Sequence, residues 1–230
     1  MSNLSSIASR LDTYRRALQA VELPRFAPRQ NGMPLVIAVE GPNGAGKTTL
    51  CSALASTLQA PACLGTDRAW FSDPFRTRMI RDAEWFASAM FFLSGCFEQM
   101  RVLRGRTEPV VIMDRSLWST LAVHAAHAPE RLAALVQMLG PVAGQVPVPG
   151  VTLVLEASFA TCGTRIARKS GPARALDELT AEPGFHAREQ EFYRWLAGRA
   201  PGVLLLQVDD LDPAEAAQQA LALLRPSLPC

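Results

Sequence analysis

The run Gly41-Pro-Asn-Gly-Ala-Gly-Lys47-Thr48 constrains the fold of this chain more than any other feature. It has the spacing GxxxxGK[ST] of a P-loop, in which glycines let backbone N–H groups turn inward around a phosphate. The lysine of such a loop reaches the outer phosphate oxygens, and the hydroxyl that follows it ligates magnesium. The residues predicted to hold a nucleoside triphosphate are Gly41, Asn43, Gly44, Ala45, Gly46, Lys47, Thr48 and Thr49.

The segments around the loop supply the strand and the helix that a P-loop requires. Leu35 to Glu40 is an apolar run typical of a buried parallel strand, and Thr48 to Leu58 is predicted to be the helix that follows. Similar runs recur between helical segments, at Ala62 to Leu64, Val110 to Asp114, Val151 to Glu156 and Val203 to Val208. The pattern predicts a three-layer α/β fold over 34–230, with a five-stranded parallel sheet and helices on both of its faces.

Residues 1–33 are predicted to form a helical extension and a linker. Their apolar residues step by three and four, as on one helix face: Leu4, Ile7, Leu11, Tyr14, Leu18 and Val21. The helix is expected to end before Pro24. Its apolar face either packs on the main domain or forms a homodimer contact, and so short a heptad pattern does not choose between them.

Charge and cysteine content exclude several classes of protein. The chain carries 23 Lys and Arg against 21 Asp and Glu, so it lacks the basic surface of a dedicated nucleic-acid binder. Its five cysteines include no CxxC pair, which argues against a disulfide framework or a zinc site and favours a reduced, cytoplasmic setting. No apolar run approaches the roughly 18 residues of a membrane span, so neither a membrane nor nucleic acid is an expected partner.

One carboxylate is predicted to act with the P-loop. Asp114 ends the apolar run Pro-Val-Val-Ile-Met-Asp, where a second strand delivers a carboxylate towards the magnesium ion of a P-loop site. Thr48 and Asp114 are therefore the predicted metal ligands, and ATP and Mg²⁺ the predicted cofactors.

Two families share this kind of P-loop. Leu93-Ser-Gly95 matches half of the LSGGQ signature of ABC-type ATPases, but Cys96 and Phe97 replace its second Gly and its Gln. From Leu35 to Leu224 the chain instead resembles thymidylate kinase and its deoxynucleoside kinase relatives. The run Glu40 to Thr49 is similar to their EGxxGAGKTT, Phe92 to Gln99 to their FxAxRxxQ helix, and Asp114 to Ala122 to their DRYxxSTLA.

The resemblance implies roles for several arginines and one aromatic ring. Arg115 is implied to bind the phosphate or sugar end of the acceptor, and Phe92 to stack on its base. Arg165, Arg168 and Arg174 lie in a lid at about 165–182 and are implied to close over the transferring phosphoryl group, with the one that does so left open. The implied acceptor-binding residues are Thr66, Arg68, Phe92, Cys96, Arg115, Ser119 and His124.

The acceptor half of the pattern departs from thymidylate kinases. Those enzymes usually carry Arg at the position of Cys96, an acid at the position of Asn43, and Tyr-Gln at the position of Val123-His124. Their TREP motif is replaced by 66–69, in which Asp67 is a candidate general base for a sugar hydroxyl and Arg68 a candidate clamp for a monophosphate.

The sequence therefore predicts ATP- and magnesium-dependent phosphoryl transfer to a nucleotide or nucleoside, and family members are commonly homodimers. Two alternatives stay open at this point. One is a kinase for another small hydroxylated metabolite; the other is a nucleotide-dependent switch or ABC-like ATPase that phosphorylates no acceptor.

Overall fold

The computed structural model describes residues 2–27, 32–66, 73–146 and 148–229. Its strands are β1 (Leu35–Glu40), β2 (Ala62–Leu64), β3 (Val110–Asp114), β4 (Val151–Glu156) and β5 (Val203–Gln207). They form one sheet in the order β2-β3-β1-β4-β5, and every neighbouring pair is parallel. The predicted five-stranded parallel sheet is confirmed, with strand ends within one residue of those expected.

Helices connect the strands. In chain order the α-helices are α1 (Ser2–Gln19), α2 (Lys47–Thr57), α3 (Asp73–Arg81), α4 (Trp85–Leu103), α5 (Leu117–His127), α6 (Pro129–Leu139), α7 (Phe159–Ala167), α8 (Gly171–Glu178), α9 (Pro183–Ala197) and α10 (Pro213–Leu224). Short 3₁₀ segments follow α6 at Gly140–Gln145 and α10 at Arg225–Ser227. None of the helices in the described part of the chain is long and apolar enough to cross a membrane.

Successive apolar side chains of β1 point to opposite faces of the sheet, which explains why helices cover both faces. Leu35, Ile37 and Val39 pack with α2 and α10 on one face, whereas Val36 and Ala38 pack with α4 on the other. A larger apolar cluster on that second side joins α4, α5, α6 and α9. Because β1 is central, its carboxyl end and the P-loop after it lie in the middle of the carboxyl edge of the sheet.

The second half of α1 packs on the rest of the chain. Tyr14 and Leu18 are buried in the cluster that includes α5, α6 and α9. At the rim, Arg15 donates to the Glu191 carboxylate of α9 over 2.7 and 2.8 Å. Of the two roles considered for this face, packing on the domain is the one observed; the division of the chain at residue 33 stays a prediction.

The sequence pattern from Pro74 to Arg104 predicts one long helix, and this is wrong. The backbone N–H groups of Asp82 and Ala83 both donate to Arg78 O, at 2.9 and 3.2 Å, which closes α3. Glu84 then adopts φ −54° and ψ 140°, and α4 begins at Trp85. No glycine or proline marks this break; the turn allows Trp85 to pack against the apolar cluster beside α5.

Candidate active site

The glycines of the P-loop hold conformations that other residues rarely adopt. Gly41, Gly44 and Gly46 have φ values of 127°, 83° and 103°. A Cβ at Gly41 would lie 2.5 Å from Leu155 O, and one at Gly44 would lie 2.5 Å from Cys162 O. The loop therefore depends on glycine both for its backbone angles and for its close approach to β4 and α7.

Lys47 is buried at the start of α2. Its Nζ donates to Gly41 O and to Pro42 O, each at 2.7 Å. Burial and the neighbouring Arg115 guanidinium lower the pKa of Lys47 to about 7. The ammonium is held inside its own loop, where burial disfavours its charged form. A bound phosphate would supply the counter-charge that favours this form.

Thr48 and Asp114 meet at the mouth of the loop. The Thr48 hydroxyl donates to Asp114 Oδ2 over 2.6 Å, which joins α2 to the end of β3. Both groups are hard oxygen ligands of the kind that Mg²⁺ prefers, so this pair fits the predicted metal site. Within the described ranges, no group of three or more His, Cys, Asp or Glu could hold a metal ion, so phosphate and water oxygens would supply the remaining ligands.

Arg115 follows β3 in a left-handed conformation, with φ 69°. Its N–H donates to Val39 O at 3.1 Å, which fixes the residue to the end of β1. Its guanidinium donates from Nη2 to Asn43 Oδ1 at 2.5 Å and from Nη1 to Ser119 Oγ at 3.3 Å. The arginine thus bridges the P-loop and α5, with Ser119 as its partner on the helix.

Glu40, which the sequence pattern did not mark as a site residue, holds Ser116 and Ser119 next to Arg115. Its buried carboxylate accepts from Ser116 N and Ser116 Oγ at 2.7 Å each, from Tyr193 OH at 3.2 Å, and from Ser119 Oγ. Burial raises its pKa above the ordinary value of a glutamate. The available signal was an acid that ends an otherwise apolar strand directly before the first P-loop glycine.

Of the three lid arginines, only Arg165 contacts the P-loop. It donates from Nη1 to Ala45 O at 3.0 Å and from Nη2 to Val208 O at 2.9 Å, so it fastens the loop to the end of β5. Arg168 is exposed, and Arg174 is exposed in an ion pair with Glu178. A second lid contact comes from Asn43 Nδ2, which donates to Thr180 Oγ1 at 3.0 Å.

The candidate acceptor pocket lies between β2 and α4. Thr66 and Cys96 are buried side by side, with Oγ1 and Sγ 3.8 Å apart. A Cβ at Gly95 would lie 2.3 Å from Thr66 Cγ2, so glycine allows α4 to approach this closely. Burial raises the pKa of the Cys96 thiol to about 12, which leaves a neutral group where thymidylate kinases place arginine.

Phe92 lies near this pocket with a cation beside its ring. The Arg76 guanidinium is 5.6 Å from the centre of the half-buried Phe92 ring and donates to Thr66 O at 3.1 Å. Asp67 and Arg68, the two candidates that follow Thr66, lie outside the described residues.

His124 is buried on α5, with its ring centre 5.8 Å from the Trp85 ring. Burial and the charge of Arg131 lower the pKa of His124 to about 4, so the ring is neutral. Within the described chain its Nδ1 has no hydrogen-bond partner. Contact of this ring with an acceptor stays a prediction.

Glu189 is a second buried acid that sequence reasoning missed. It lines a small cavity between the P-loop, the lid and α9, together with Pro42, Asn43 and Thr180. Burial raises its pKa, and the charges of Lys47 and Arg115 act in the opposite direction. Its spacing from His186 and Tyr193 on the inner face of α9 was the only available signal.

Comparison with known proteins gives a family match. The family model described as deoxynucleoside kinase matches residues 37–221. None of the curated proteins compared with the chain matches it significantly in sequence.

Solved structures with the same fold include two kinases. The thymidylate kinase of Candida albicans has a TM-score of 0.68 at 19% identity, over 85% of this chain and 92% of that one. The deoxyadenosine kinase of M. mycoides with bound dATP has a TM-score of 0.63 at 15% identity, over 83% of this chain and 99% of that one. The same enzyme with bound dCTP has a TM-score of 0.61 at 15% identity, over 83% and 99%.

Proposed function

This chain belongs to the deoxynucleoside kinase family and is a nucleoside or nucleotide kinase; from that premise, we propose that it transfers the γ-phosphoryl group of ATP to a nucleoside or nucleoside monophosphate in a pocket unlike that of thymidylate kinase. The reaction forms a bond from an acceptor oxygen to Pγ and breaks the bond from Pγ to the β,γ-bridging oxygen. Phosphoryl transfer needs mainly positioning of the reactants and stabilisation of the charge that develops on the phosphoryl group.

On the donor side, the glycines of the P-loop would present backbone N–H groups to the phosphates of ATP, and Lys47 would bind their outer oxygens. Thr49 follows in the first turn of α2. Magnesium, held by Thr48 and Asp114, would neutralise charge on the β- and γ-phosphates. Arg165, fastened to Ala45 O, would keep the loop in register with the lid.

The observation that carries the proposal is the placing of Arg115. Its hydrogen bonds to Asn43 and Ser119 hold a permanent cation beside the P-loop, on the side away from Arg165. A guanidinium at this place can bind the transferring phosphoryl group or an acceptor phosphate, because its planar fork donates two parallel hydrogen bonds to anionic oxygens.

On the acceptor side, we propose that the base lies against Phe92, with Thr66 and Cys96 at its edge. The neutral Cys96 thiol cannot supply the charged donor that an arginine would give, so a base other than thymine is favoured. Asp67 as a base for a sugar hydroxyl, and Arg68 as a phosphate clamp, stay predictions from the sequence.

The setting that we propose is the reducing cytoplasm. Cys51, Cys96 and Cys162 are free, buried thiols, as expected for a protein kept reduced. A homodimer stays a prediction, and the native mass of the purified chain would test it.

The test is ADP production from ATP and Mg²⁺ against a panel of nucleosides and nucleoside monophosphates. Lys47→Ala should lower acceptor-dependent turnover by at least about 100-fold, since it removes a charge that stabilises the transition state. Ser52→Ala is the matched control, because Ser52 lies one turn further along α2 and donates only to Thr48 O. Turnover by Lys47→Ala equal to that of Ser52→Ala would refute the proposal.

A further inference from the structure

The candidate acceptor pocket holds a second arginine, to which the sequence pattern gave no role. Arg76 of α3 is half-buried and donates from Nη1 to Thr66 O at 3.1 Å. Its guanidinium carbon lies over the Phe92 ring, 5.6 Å from the ring centre. Thr66 and Phe92 both belong to the pocket in which the acceptor base is proposed to lie, so this cation forms part of the pocket wall.

The end of β2 is held closely enough to give Arg76 a defined place. A Cβ at Gly65 would clash with Arg115 O, so glycine allows the end of β2 to lie against the Arg115 loop. Gly95 in turn allows α4 to approach the Thr66 side chain. The carbonyl of Thr66, which binds Arg76, is therefore held between the Arg115 loop and α4.

The two arginines of the pocket lie at different ends of a bound acceptor. Arg115 is joined to Asn43 of the P-loop, so it lies at the end where the phosphoryl group is transferred. A base stacks about 3.5 to 4 Å above a ring, so a guanidinium carbon 5.6 Å from the centre of the Phe92 ring lies within contact distance of a base stacked there. Arg76 is therefore placed to bind the base, and Arg115 to bind the phosphate or sugar end.

The chemistry of this wall selects among the bases. Thr66 and Cys96 lie side by side as neutral groups, so the charged donor comes from Arg76. A guanidinium has N–H donors in a planar fork and no acceptor, so it binds best to two adjacent acceptor atoms. Guanine offers O6 and N7 as such a pair, whereas adenine presents the N6 amino donor beside N7. Cytosine pairs N3 with O2, but its O2 adjoins the glycosidic bond, where the sugar crowds it.

We propose that Arg76 binds O6 and N7 of the acceptor base, and that the acceptor is a nucleoside or nucleoside monophosphate of guanine or another 6-oxopurine. The base stacks on Phe92, its O6–N7 edge faces the guanidinium, and its sugar extends towards Arg115. This inference rests on the proposed kinase function and names the class of acceptor for it. Arg76 determines specificity and takes no part in the chemical step.

The first test compares kcat/KM for phosphoryl transfer from ATP to the wild-type protein's acceptors, offered as nucleosides and as monophosphates in ribo and deoxy form. Guanine and hypoxanthine acceptors, which share O6 and N7, should exceed those of adenine, cytosine and thymine by about ten-fold or more. The acceptor with 7-deazaguanine lacks only the N7 acceptor atom. It should lose about ten-fold relative to the guanine acceptor, because one arm of the fork is left without a partner.

Arg76→Lys separates recognition of the base from support of the pocket, because lysine can still donate to Thr66 O but has no planar fork. The variant should keep the melting temperature of the wild type. Its KM for the guanine acceptor should rise by about ten-fold with kcat within about three-fold, and it should use guanine and 7-deazaguanine acceptors equally well. Arg78→Lys is the matched control, since Arg78 lies exposed two residues further along α3 and should keep the wild-type preference.

The inference is overturned if the wild type uses the 7-deazaguanine acceptor as well as the guanine acceptor, if it prefers another base, or if Arg76→Lys keeps the wild-type preference. A loss in Arg76→Lys that is confined to monophosphates, whatever their base, would assign Arg76 to the phosphate and would overturn the inference as well. If no nucleoside or nucleotide stimulates ADP release, the proposed function fails. If Lys47-dependent transfer occurs without preference for 6-oxopurines, only this inference fails.

Discussion

Arg115 and Asn43 are joined by a 2.5 Å hydrogen bond from the guanidinium to the side-chain amide oxygen. The same amide donates through its nitrogen to Thr180, near the end of the lid. One P-loop side chain therefore connects the cation beside the phosphates with the segment that closes over them. An acid in its place could only accept hydrogen bonds, whereas the amide of Asn43 both accepts and donates.

Asn43→Ala should lower kcat/KM for the acceptor by about 10- to 100-fold, because it releases Arg115 from a charge-assisted hydrogen bond. Thr180→Val should cost less, about three- to ten-fold, because it removes only neutral hydrogen bonds, one from Asn43 and one to Asp177 O. Since both variants break the Asn43–Thr180 bond, the loss in the double variant should be smaller than the product of the two single losses. Fully additive effects in steady-state kinetics would show that the lid and Arg115 are not coupled through this residue.

Thr48→Val and Asp114→Asn should each raise the Mg²⁺ concentration needed for half-maximal turnover, by about ten-fold or more. Each variant removes an oxygen ligand or its charge from a site that has few protein ligands. The measurement is turnover against Mg²⁺ at saturating ATP, with Ser52→Ala as the control on the same helix. An unchanged magnesium requirement in both variants would argue that the Thr48–Asp114 contact only braces α2 against β3.

Gly44→Ala should destabilise the fold by about 2 kcal/mol or more and abolish nucleotide binding. The residue has φ 83°, and an added Cβ would lie 2.5 Å from Cys162 O, so both the backbone and the packing would be strained. Gly163→Ala is the paired control, because Gly163 lies within α7 with nothing within 4 Å of the added atom. That variant should be neutral or more stable by up to about 1 kcal/mol in urea unfolding, since alanine favours helix.

The parts of the site that the sequence predicted are those fixed by short segments of chain. The P-loop spacing, the strand before it and Asp114 at the end of the next central strand each depend on local pattern, and the fold and the family inferred from them are confirmed. Helical periodicity likewise placed Tyr14 and Leu18 on one apolar face, and the structure shows that this face packs on the domain.

The parts that the sequence did not predict depend on contacts between distant segments. Glu40 and Glu189 both interact electrostatically with Lys47 and Arg115, although about 150 residues separate the two acids along the chain. No local pattern marks a buried acid on the inner face of a helix. Arg165 is one of three arginines that the resemblance implied for the phosphoryl group, and its contacts with the carbonyls of Ala45 and Val208 depend on segments that only the packed structure brings together. The break at Glu84 carries no glycine or proline and was missed for that reason.

His124 should make the protein sensitive to acid. Its folded-state pKa of about 4 lies below the unfolded value of 6.5, so the unfolded chain binds the proton more readily. The neutral ring is compatible with the fold above pH 6.5, and stability should fall as the pH drops through 6.5 towards 4. At pH 4.5 the loss from this residue should be about 2 kcal/mol relative to pH 7.

His124→Leu cannot take up the proton, so its free energy of unfolding should fall by about 2 kcal/mol less than that of the wild type between these two pH values. His127→Gln is the control, because His127 is exposed at the end of the same helix and its removal should change the acid response less. Urea unfolding at pH 7 and 4.5 measures all three proteins, and an equal loss in the wild type and in His124→Leu would show that His124 becomes protonated in the folded protein without cost.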